Sequence, residues 1–425
     1  MQKRKSNRNT WFRQNNSTIK FTGKLNSFNV KDFCSAINRF KQSENENLTV
    51  DFSRVMQAYP NGVLPIISTI TEIRDEGYDV YVKLPQSDNV RRLFRSVNWA
   101  HFLSPAQFEK SESTHDRHLV TRNFRDENEQ TQVVNDFMDV VLRSIEVPKD
   151  VLSGLEWSIN EITDNVLNHS QGINGGFVQV STYPTNGQIA FAVADSGKGI
   201  LTSLKERFPS LRTDMQAIGE AVKAGVTSNP KYGQGNGLAG SLRVATLTGG
   251  SLEVTSGSAR VISTIDNTTR NNRKDYQYYQ GTLVCGQIKV TSDFSISKAL
   301  NFGMDEDYEP GNVIDYHYEM EDEDCLFLSM KNETTGFGTR RSGKQINTKI
   351  NNLIKAKPSY PLVIDWEGVP VISSSFADEM IGKLFLKMGA ISFSSIIRNT
   401  NMEPLIRNLL DKAIAQRLTQ ANDGE

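Results

Sequence analysis

The sequence predicts a mixed α/β (α+β) protein with three domains. Residues 17–104 and residues 325–425 each alternate strand-like and helix-like patterns, which indicates a sheet covered by helices. Residues 126–293 combine two long helical patterns with several strand patterns and two glycine-rich stretches. The length of 425 residues is sufficient for two to four domains of ordinary size.

In the first domain, 17–104, three strand patterns alternate with three helix patterns. The strand patterns are STIKFTGKL, LTVDFS and DVYVKLP, and the helix patterns are VKDFCSAINRF, GVLPIISTITEIRDEG and NVRRLFRSVNWAHFL. The basic segment 1–16 has no apolar core and is predicted to be a flexible tail. The polar stretch 105–125 is predicted to be a linker.

The central domain, 126–293, opens with two helix patterns, QTQVVNDFMDVVLRSI and SINEITDNVLNHS. Four strand patterns follow, and they are GFVQVSTYP, QIAFAVAD, SLEVTSG and GTLVCGQIKV. The polar segment 263–280 predicts a loop or a hairpin extension. An acidic linker is predicted over 294–324, because its like charges favour a solvated surface.

The last domain, 325–425, resembles the first in its pattern. Its strand patterns are CLFLSM, PLVIDWEGV and AISFSSII, and its helix patterns are GKQINTKINNLIKA, SSSFADEMIGKLFLKMG and MEPLIRNLLDKAIAQRL. In both domains a strand that ends in an aspartate, Asp51 or Asp365, precedes a short turn and a helix. This similarity suggests a weak internal repeat.

Composition excludes several classes of function. Apolar residues make up 37% and charged residues 23% of the chain, which is typical of a soluble globular protein. The net charge of -1 indicates neither nucleic acid nor an acidic membrane as a partner. No stretch reaches the length of apolar sequence that spans a membrane. Three widely separated cysteines resemble reduced core residues, so we expect a cytoplasmic protein.

The segment SINEITDNVLNHS carries an apolar stripe and a polar column on one helix. The stripe comprises Leu155, Ile159, Ile162 and Val166. Glu161, Asn165 and His169 are four residues apart and therefore stack beside it. The carboxylate of Glu161 suits a general base, and the amide oxygen of Asn165 suits Mg²⁺. A helix with a merely polar edge is an equally good interpretation of this segment alone.

Two glycine-rich stretches follow. In VADSGKGI, a strand ends in Asp195, and Gly197 and Gly199 allow close backbone approach to a ligand. For this stretch alone, an ordinary turn is the favoured interpretation.

In YGQGNGLAG, the alternating glycines Gly233, Gly235 and Gly237 precede and begin a helix. The backbone N–H groups at such a helix start can bind phosphate. Neither the Walker pattern nor the Rossmann spacing is present.

The three motifs in this order resemble the Bergerat-fold ATPases, or GHKL group, which includes gyrase, heat-shock chaperone, histidine-kinase and mismatch-repair ATPase domains. The resemblance covers about 126–293. It implies that Glu161 is the catalytic base, that Asn165 binds Mg²⁺ and that Asp195 accepts a hydrogen bond from the adenine amino group. It assigns the remaining residues to the adenine pocket (Gly197, Gly199 and Thr282) and to a phosphate-side lid (Gly233, Gly235 and Gly237).

Further details bear on the subgroup. The segment GVTS, 225–228, resembles the stretch before such a lid. The pattern ExxxNxxxH, which ends at His169, is similar to the anti-sigma-factor serine kinases, and EITDN is similar to the gyrase-type helix. Residues 126–145 contain no histidine, so a sensor histidine kinase is disfavoured.

The C-terminal domain resembles a bacterial STAS-like domain often found beside such ATPases. In STAS antagonists of anti-sigma kinases, a phosphorylatable serine begins the helix after the central strand. Ser373, Ser374 and Ser375 occupy that place and are candidate phosphorylation sites. A helix N-cap also favours serine and is the leading interpretation. The N-terminal domain has Asn61 and Gly62 at the matching place, without a hydroxyl.

The sequence thus predicts a bacterial protein with an ATP- and Mg²⁺-binding domain between two STAS-like domains. One interpretation is an ATPase whose nucleotide state changes domain or partner contacts. A second is a protein-serine kinase that acts on a STAS serine. A third is a scaffold that binds ATP without turnover, and the presence of Glu161 at the base position counts against it. In each case we expect a protein partner or self-association through the STAS-like domains.

Overall fold

A computed structural model describes the protein over residues 13–15, 17–111, 118–170, 172–223, 225, 236–272, 278–291, 293–301, 310–320, 323–333 and 336–422. It confirms the mixed α/β class. Two four-stranded sheets flank one seven-stranded sheet along the chain. Over these ranges, every helix is too short or too polar to cross a membrane.

The N-terminal domain has four strands in sequential order. They are β1 (Arg13–Asn15), β2 (Thr18–Leu25), β3 (Asn47–Ala58) and β4 (Asp79–Lys83). Strand β1 is antiparallel to β2, and the other pairs are parallel. The helices are α1 (Val30–Lys41), α2 (Pro60–Asp75), α3 (Asp88–Ser96) and α4 (Trp99–Leu103). Each predicted strand and helix is present, but the last predicted helix is broken at Asn98, whose φ is +66°.

The central domain contains seven antiparallel strands. They are β5 (His118–Phe124), β6 (Gly176–Tyr183), β7 (Gln188–Asp195), β8 (Ser251–Gly257), β9 (Ala259–Thr264), β10 (Thr268–Asn272) and β11 (Tyr279–Lys289). Their order is β10-β9-β8-β11-β7-β6-β5. The helices are α5 (Glu127–Ser144), α6 (Lys149–Asn165), α7 (Gly199–Lys205), α8 (Asp214–Ala221), α9 (Gly237–Leu247) and α10 (Ile296–Leu300).

Two predicted connections differ from the structure. The stretch 105–125 is not entirely a linker, because β5 pairs with β6 at the edge of the sheet and buries Leu119, Thr121 and Phe124. The described parts of 294–324 are likewise not a solvated linker. Ile296 and Leu300 are buried in the core, and so is Ile314. In both cases the segment is polar in overall composition, but its few apolar side chains are buried against the protein core, which is favourable.

The C-terminal domain repeats the topology of the first. Its elements are α11 (Val313–His317), β12 (Glu319–Met320), β13 (Cys325–Ser329), α12 (Met330–Glu333), α13 (Arg340–Ala356), β14 (Leu362–Asp365), α14 (Ser374–Ala377), α15 (Lys383–Met388), α16 (Ala390–Ile396), β15 (Ile397–Thr400) and α17 (Pro404–Asn422). Strand order is again sequential, with one antiparallel pair followed by two parallel pairs. The third strand of each sheet carries the matched aspartate, but only Asp365 ends its strand as predicted, because β3 continues beyond Asp51 to Ala58.

One predicted strand is wrong in its position. AISFSSII forms helix α16 over 390–396, and β15 begins only at Ile397. The apolar residues Phe393, Ile396 and Ile397 are three and four apart, which fits a helical stripe as well as a strand.

The central sheet is covered on both faces. In β7, Phe191 and Val193 belong to the core formed with α5 and α6, whereas Ala192 and Ala194 belong to the core of the N-terminal domain. This alternation follows from the two-residue period of a strand. Helix α2 lies on the second face and is buried on nearly every side, because it is between two sheets.

Candidate nucleotide-binding site

The end of helix α6 contacts the loop that follows β7. After Asn165 the chain forms a wider π-helical turn, Val166–Ser170. The carbonyl oxygen of Ser170 accepts a hydrogen bond of 2.8 Å from the N–H of Lys198. A Cβ on Gly197 would lie 2.3 Å from the same oxygen, so this contact requires glycine. The first two motifs therefore meet.

Helix α9 begins against the same helix α6. A Cβ on Gly237, the first residue of α9, would lie 2.3 Å from Oε2 of Glu161. The side chain of Asn236 accepts a hydrogen bond of 2.9 Å from the N–H of Gly225. The stretch before the proposed lid is thus joined to the residue that precedes α9, and the start of α9 lies beside a carboxylate.

Asp195 is a fully buried carboxylate at the end of β7. Its Oδ1 accepts a hydrogen bond of 2.8 Å from the N–H of Gly197. Burial raises the pKa of Asp195 to about 7, although the N–H groups of Gly197 and Thr282 lower it in part. A carboxylate has about four acceptor positions, so further acceptor capacity is available for an amino group. This environment fits recognition of an adenine amino group.

The loop after Asp195 rests on β8 and β11. Gly199 has a φ of +73°, which favours glycine, and a Cβ there would lie 2.7 Å from the carbonyl oxygen of Gln280. The hydroxyl of Ser256 accepts a hydrogen bond from the N–H of Ile200 and donates one to the carbonyl oxygen of Gly281, both at 3.0 Å. These contacts fix one wall of the site.

Glu161 and Asn165 are half-buried and keep the four-residue spacing of an α-helix. Among the described residues, neither side chain forms a hydrogen bond. Burial, and next the charge of Asp164, raises the pKa of Glu161. An amide oxygen and water-accessible carboxylates are acceptable donors for Mg²⁺, which commonly keeps several water ligands. The amide oxygen of Asn165 therefore fits Mg²⁺, while Glu161 stays the predicted base.

His169 does not extend the column as predicted. It lies in the π-helical turn, where hydrogen bonds join residues five apart instead of four apart as in an α-helix. Burial lowers its pKa, which favours the neutral imidazole. Its place beside Glu161 and Asn165 is therefore changed by the wider turn.

The remaining predicted residues divide into three groups. Gly233, Gly235 and the segment 226–228 lie outside the described residues. The backbone of Thr282 faces Asp195, while a role for its hydroxyl stays a prediction. In the C-terminal domain, Ser373 is the N-cap of α14, and its hydroxyl accepts a hydrogen bond of 3.1 Å from the N–H of Phe376. This confirms the interpretation of the serine as a helix N-cap.

Sequence reasoning missed residues that support the site without a motif of their own. Ser170 and Ser256 position the glycine loop, and Asp164 adds a second carboxylate near Glu161. Tyr279 donates its phenolic hydrogen to the main-chain oxygen of Asp195. Asp164 is the only one of these that a spacing argument could have found, because it is three residues from Glu161 on the same helix.

Comparison of the chain with protein-family models, with curated proteins and with solved structures finds no match.

Proposed function

We propose that the central domain is a Bergerat-fold, GHKL-type module that binds and hydrolyses ATP with Mg²⁺ in the cytoplasm. The observation that carries this proposal is the meeting of three motifs that are far apart in sequence. The helix with Glu161 and Asn165 contacts the loop after Asp195 through Gly197, and it contacts the start of α9 through Gly237. Packing alone does not require a carboxylate, an amide and two glycine turns at one place.

In the proposed mechanism, the residues of the site divide binding and catalysis between them. Asp195 binds the adenine amino group, and the N–H groups at the start of α9 face the phosphates. The half-buried carboxylate of Glu161 orients a water molecule and takes its proton, for which its raised pKa is favourable. Asn165 would hold Mg²⁺, which when bound offsets the negative charge of the phosphates.

We further propose that the nucleotide state is transmitted to the C-terminal domain. Helix α10 packs against both α6 and α9, and the guanidinium of Arg243 on α9 donates to the carbonyl oxygens of Lys298 and Asn301, both at 2.7 Å. On α6, Glu156 accepts a hydrogen bond of 2.7 Å from the N–H of Val313. Movement of α9 would thus displace α10, which lies shortly before the C-terminal domain in the chain.

The flanking domains are proposed to be STAS relatives that recruit a protein partner or a second copy of the chain. Their common strand order, one antiparallel pair followed by two parallel pairs, supports a shared origin. Their dockings on the central domain include hydrogen bonds as well as apolar contact. Trp99 donates to Gln179 at 2.8 Å, and Asn352 donates to the carbonyl oxygen of Leu142 at 2.7 Å. Both contacts are buried and the apolar cores are continuous across each boundary, so the flanking domains are held firmly on the central domain.

A second candidate function is protein-serine kinase activity. The observation that favours it is the exposure of Ser374 at the first turn of α14, where its neighbour Ser373 already serves as the N-cap. The hydroxyl of Ser374 is therefore not needed to begin the helix. A phosphate on it would lie at a helix N-terminus, which favours negative charge.

Calorimetric titration with ATP and Mg²⁺ tests the binding proposal. The wild-type protein should bind, and Asp195→Asn should bind at least about tenfold more weakly, because an amide replaces an acceptor-only group. Asp88→Asn is the matched control, since that aspartate is 76% exposed on α3. Absence of binding to the wild type, or equal affinity in all three proteins, would contradict the assignment.

A further inference from the structure

Tyr279 connects the end of β7 with the N-terminal domain. Its phenolic hydroxyl donates to the main-chain oxygen of Asp195, and only 1% of the residue is exposed. The ring belongs to the hydrophobic core of the N-terminal domain, with which Leu283 of the same strand also packs. One side chain therefore contacts both the proposed adenine-binding residue and the neighbouring domain.

The strand pairing explains why this hydroxyl is needed. The register of β7 with β11 ends at Ala194 and Leu283, one residue before Asp195. Strand β11 is irregular between Tyr279 and Thr282 where it pairs with β8. The backbone at Gly281 is so close that a Cβ would lie 1.8 Å from the carbonyl oxygen of Asp195. The phenol of Tyr279 thus fixes that oxygen at the point where the regular ladder stops.

The hydroxyl is always able to donate. Burial, and next the charge of Asp195, raises the pKa of Tyr279 well above its ordinary value. The phenol consequently stays protonated at physiological pH. Cys34 lies on α1, which places the N-terminal domain directly behind this tyrosine.

Resting on the proposed function, we infer that Tyr279 is a positioning residue for recognition of the 6-amino group of the purine, and that the N-terminal domain is the wall that holds it. The backbone of Asp195 is fixed by Tyr279, and its carboxylate is thereby aimed at the base. The N-terminal domain is then part of the nucleotide site as well as a docking module.

The test compares ATP with purine riboside 5′-triphosphate, which is ATP without the 6-amino group. Titrations at pH 8, where Asp195 is mostly ionised, give the ratio of the two affinities. The wild-type protein should prefer ATP by about tenfold to a hundredfold, as expected for a hydrogen bond to a charged group. Tyr279→Phe should lower ATP affinity about fivefold and leave the affinity for the analogue unchanged.

A matched control is Tyr183→Phe, which should keep the wild-type ratio, because Tyr183 is 42% exposed and lies at the end of β6 that is far from Asp195. If the ratio of the two affinities is unchanged in Tyr279→Phe, either because neither affinity falls or because both fall equally, the inference is overturned while the proposed function stands. Failure of the wild type to bind either nucleotide would instead overturn the proposed function, and the inference with it.

Hydrogen exchange of the wild-type protein provides a second measurement that does not need the variant to fold. ATP should slow amide exchange in α2, which contacts β6, β7 and β11, more than in α17, which packs within the C-terminal domain. Equal slowing in the two helices would reflect stabilisation of the whole protein and would overturn the coupling.

Discussion

The carboxylate of Glu161 lies against the first residue of α9, so that a Cβ on Gly237 would be 2.3 Å from its Oε2. We predict that Gly237→Ala displaces Glu161 and lowers the rate of ATP turnover by up to about a hundredfold, because a misplaced catalytic group loses its alignment. ATP affinity should change much less. Steady-state phosphate release and calorimetry measure the two effects.

Gly219→Ala is the control for that substitution. Gly219 is also in a helix, α8, but a Cβ there meets no atom within 4 Å. This change should leave turnover intact and stabilise the protein by about 0.5 to 1 kcal/mol. If both alanine variants retained full turnover, the contact between Gly237 and Glu161 would have no catalytic importance.

Asp195 imposes a pH-dependent cost on the protein without nucleotide. Its folded-state pKa of about 7 is above the ordinary value of 3.8, so its contribution to stability is complete below about pH 4 and is lost as the pH rises through 7. Asp195→Asn lacks this loss. We predict that the variant, although it binds ATP weakly, is more stable than the wild type at pH 8, by up to about 4 kcal/mol.

Urea unfolding at a series of pH values measures this difference. The advantage of the variant should grow between pH 5 and pH 7 and then level off. A difference that is constant across this range would mean that the carboxylate of Asp195 is not held in a desolvated environment.

Docking of the C-terminal domain depends on a buried lysine. Lys349 on α13 is 1% exposed and donates to Asp139 of α5 at 2.6 Å and also to Glu333. Lys349→Met would leave the nearly buried Glu333 without its cation. We predict a loss of about 3 to 5 kcal/mol in the free energy of unfolding.

The control is Lys344→Met on the exposed side of the same helix, which should change the unfolding free energy by less than about 0.5 kcal/mol. Denaturant unfolding of the two variants beside the wild type measures both effects. Equal stability of the two variants would show that the charge cluster does not hold the domains together.

The sequence predicts most elements of the fold because strong periodic patterns decide them. Helix α6 and strands β6 and β7 are clear from their apolar spacing. Strand β5 is missed because only three of its seven residues are buried, and α16 is taken for a strand because its apolar residues fit both periods. Short elements contain too few residues to separate the two patterns.

The site was predictable to the extent that its residues form motifs. Glu161, Asn165 and Asp195 stand out because an acid or amide is unexpected beside an apolar stripe or at a buried strand end. Tyr279 could not be predicted, since its importance depends on the irregular pairing of β11 and on the docking of a domain far away in sequence. Long-range contacts of this kind leave no local signal.

The most direct measurement of the central claim is incubation with γ-labelled ATP and Mg²⁺, in which free phosphate and protein-bound label are followed separately. We predict that the wild-type protein releases labelled phosphate. Glu161→Ala should still bind ATP but should release phosphate about 10² to 10⁴ times more slowly. Label on the wild-type protein that Ser374→Ala abolishes would favour the serine-kinase alternative. Equal phosphate release by wild type and Glu161→Ala, or none by either, would contradict the account.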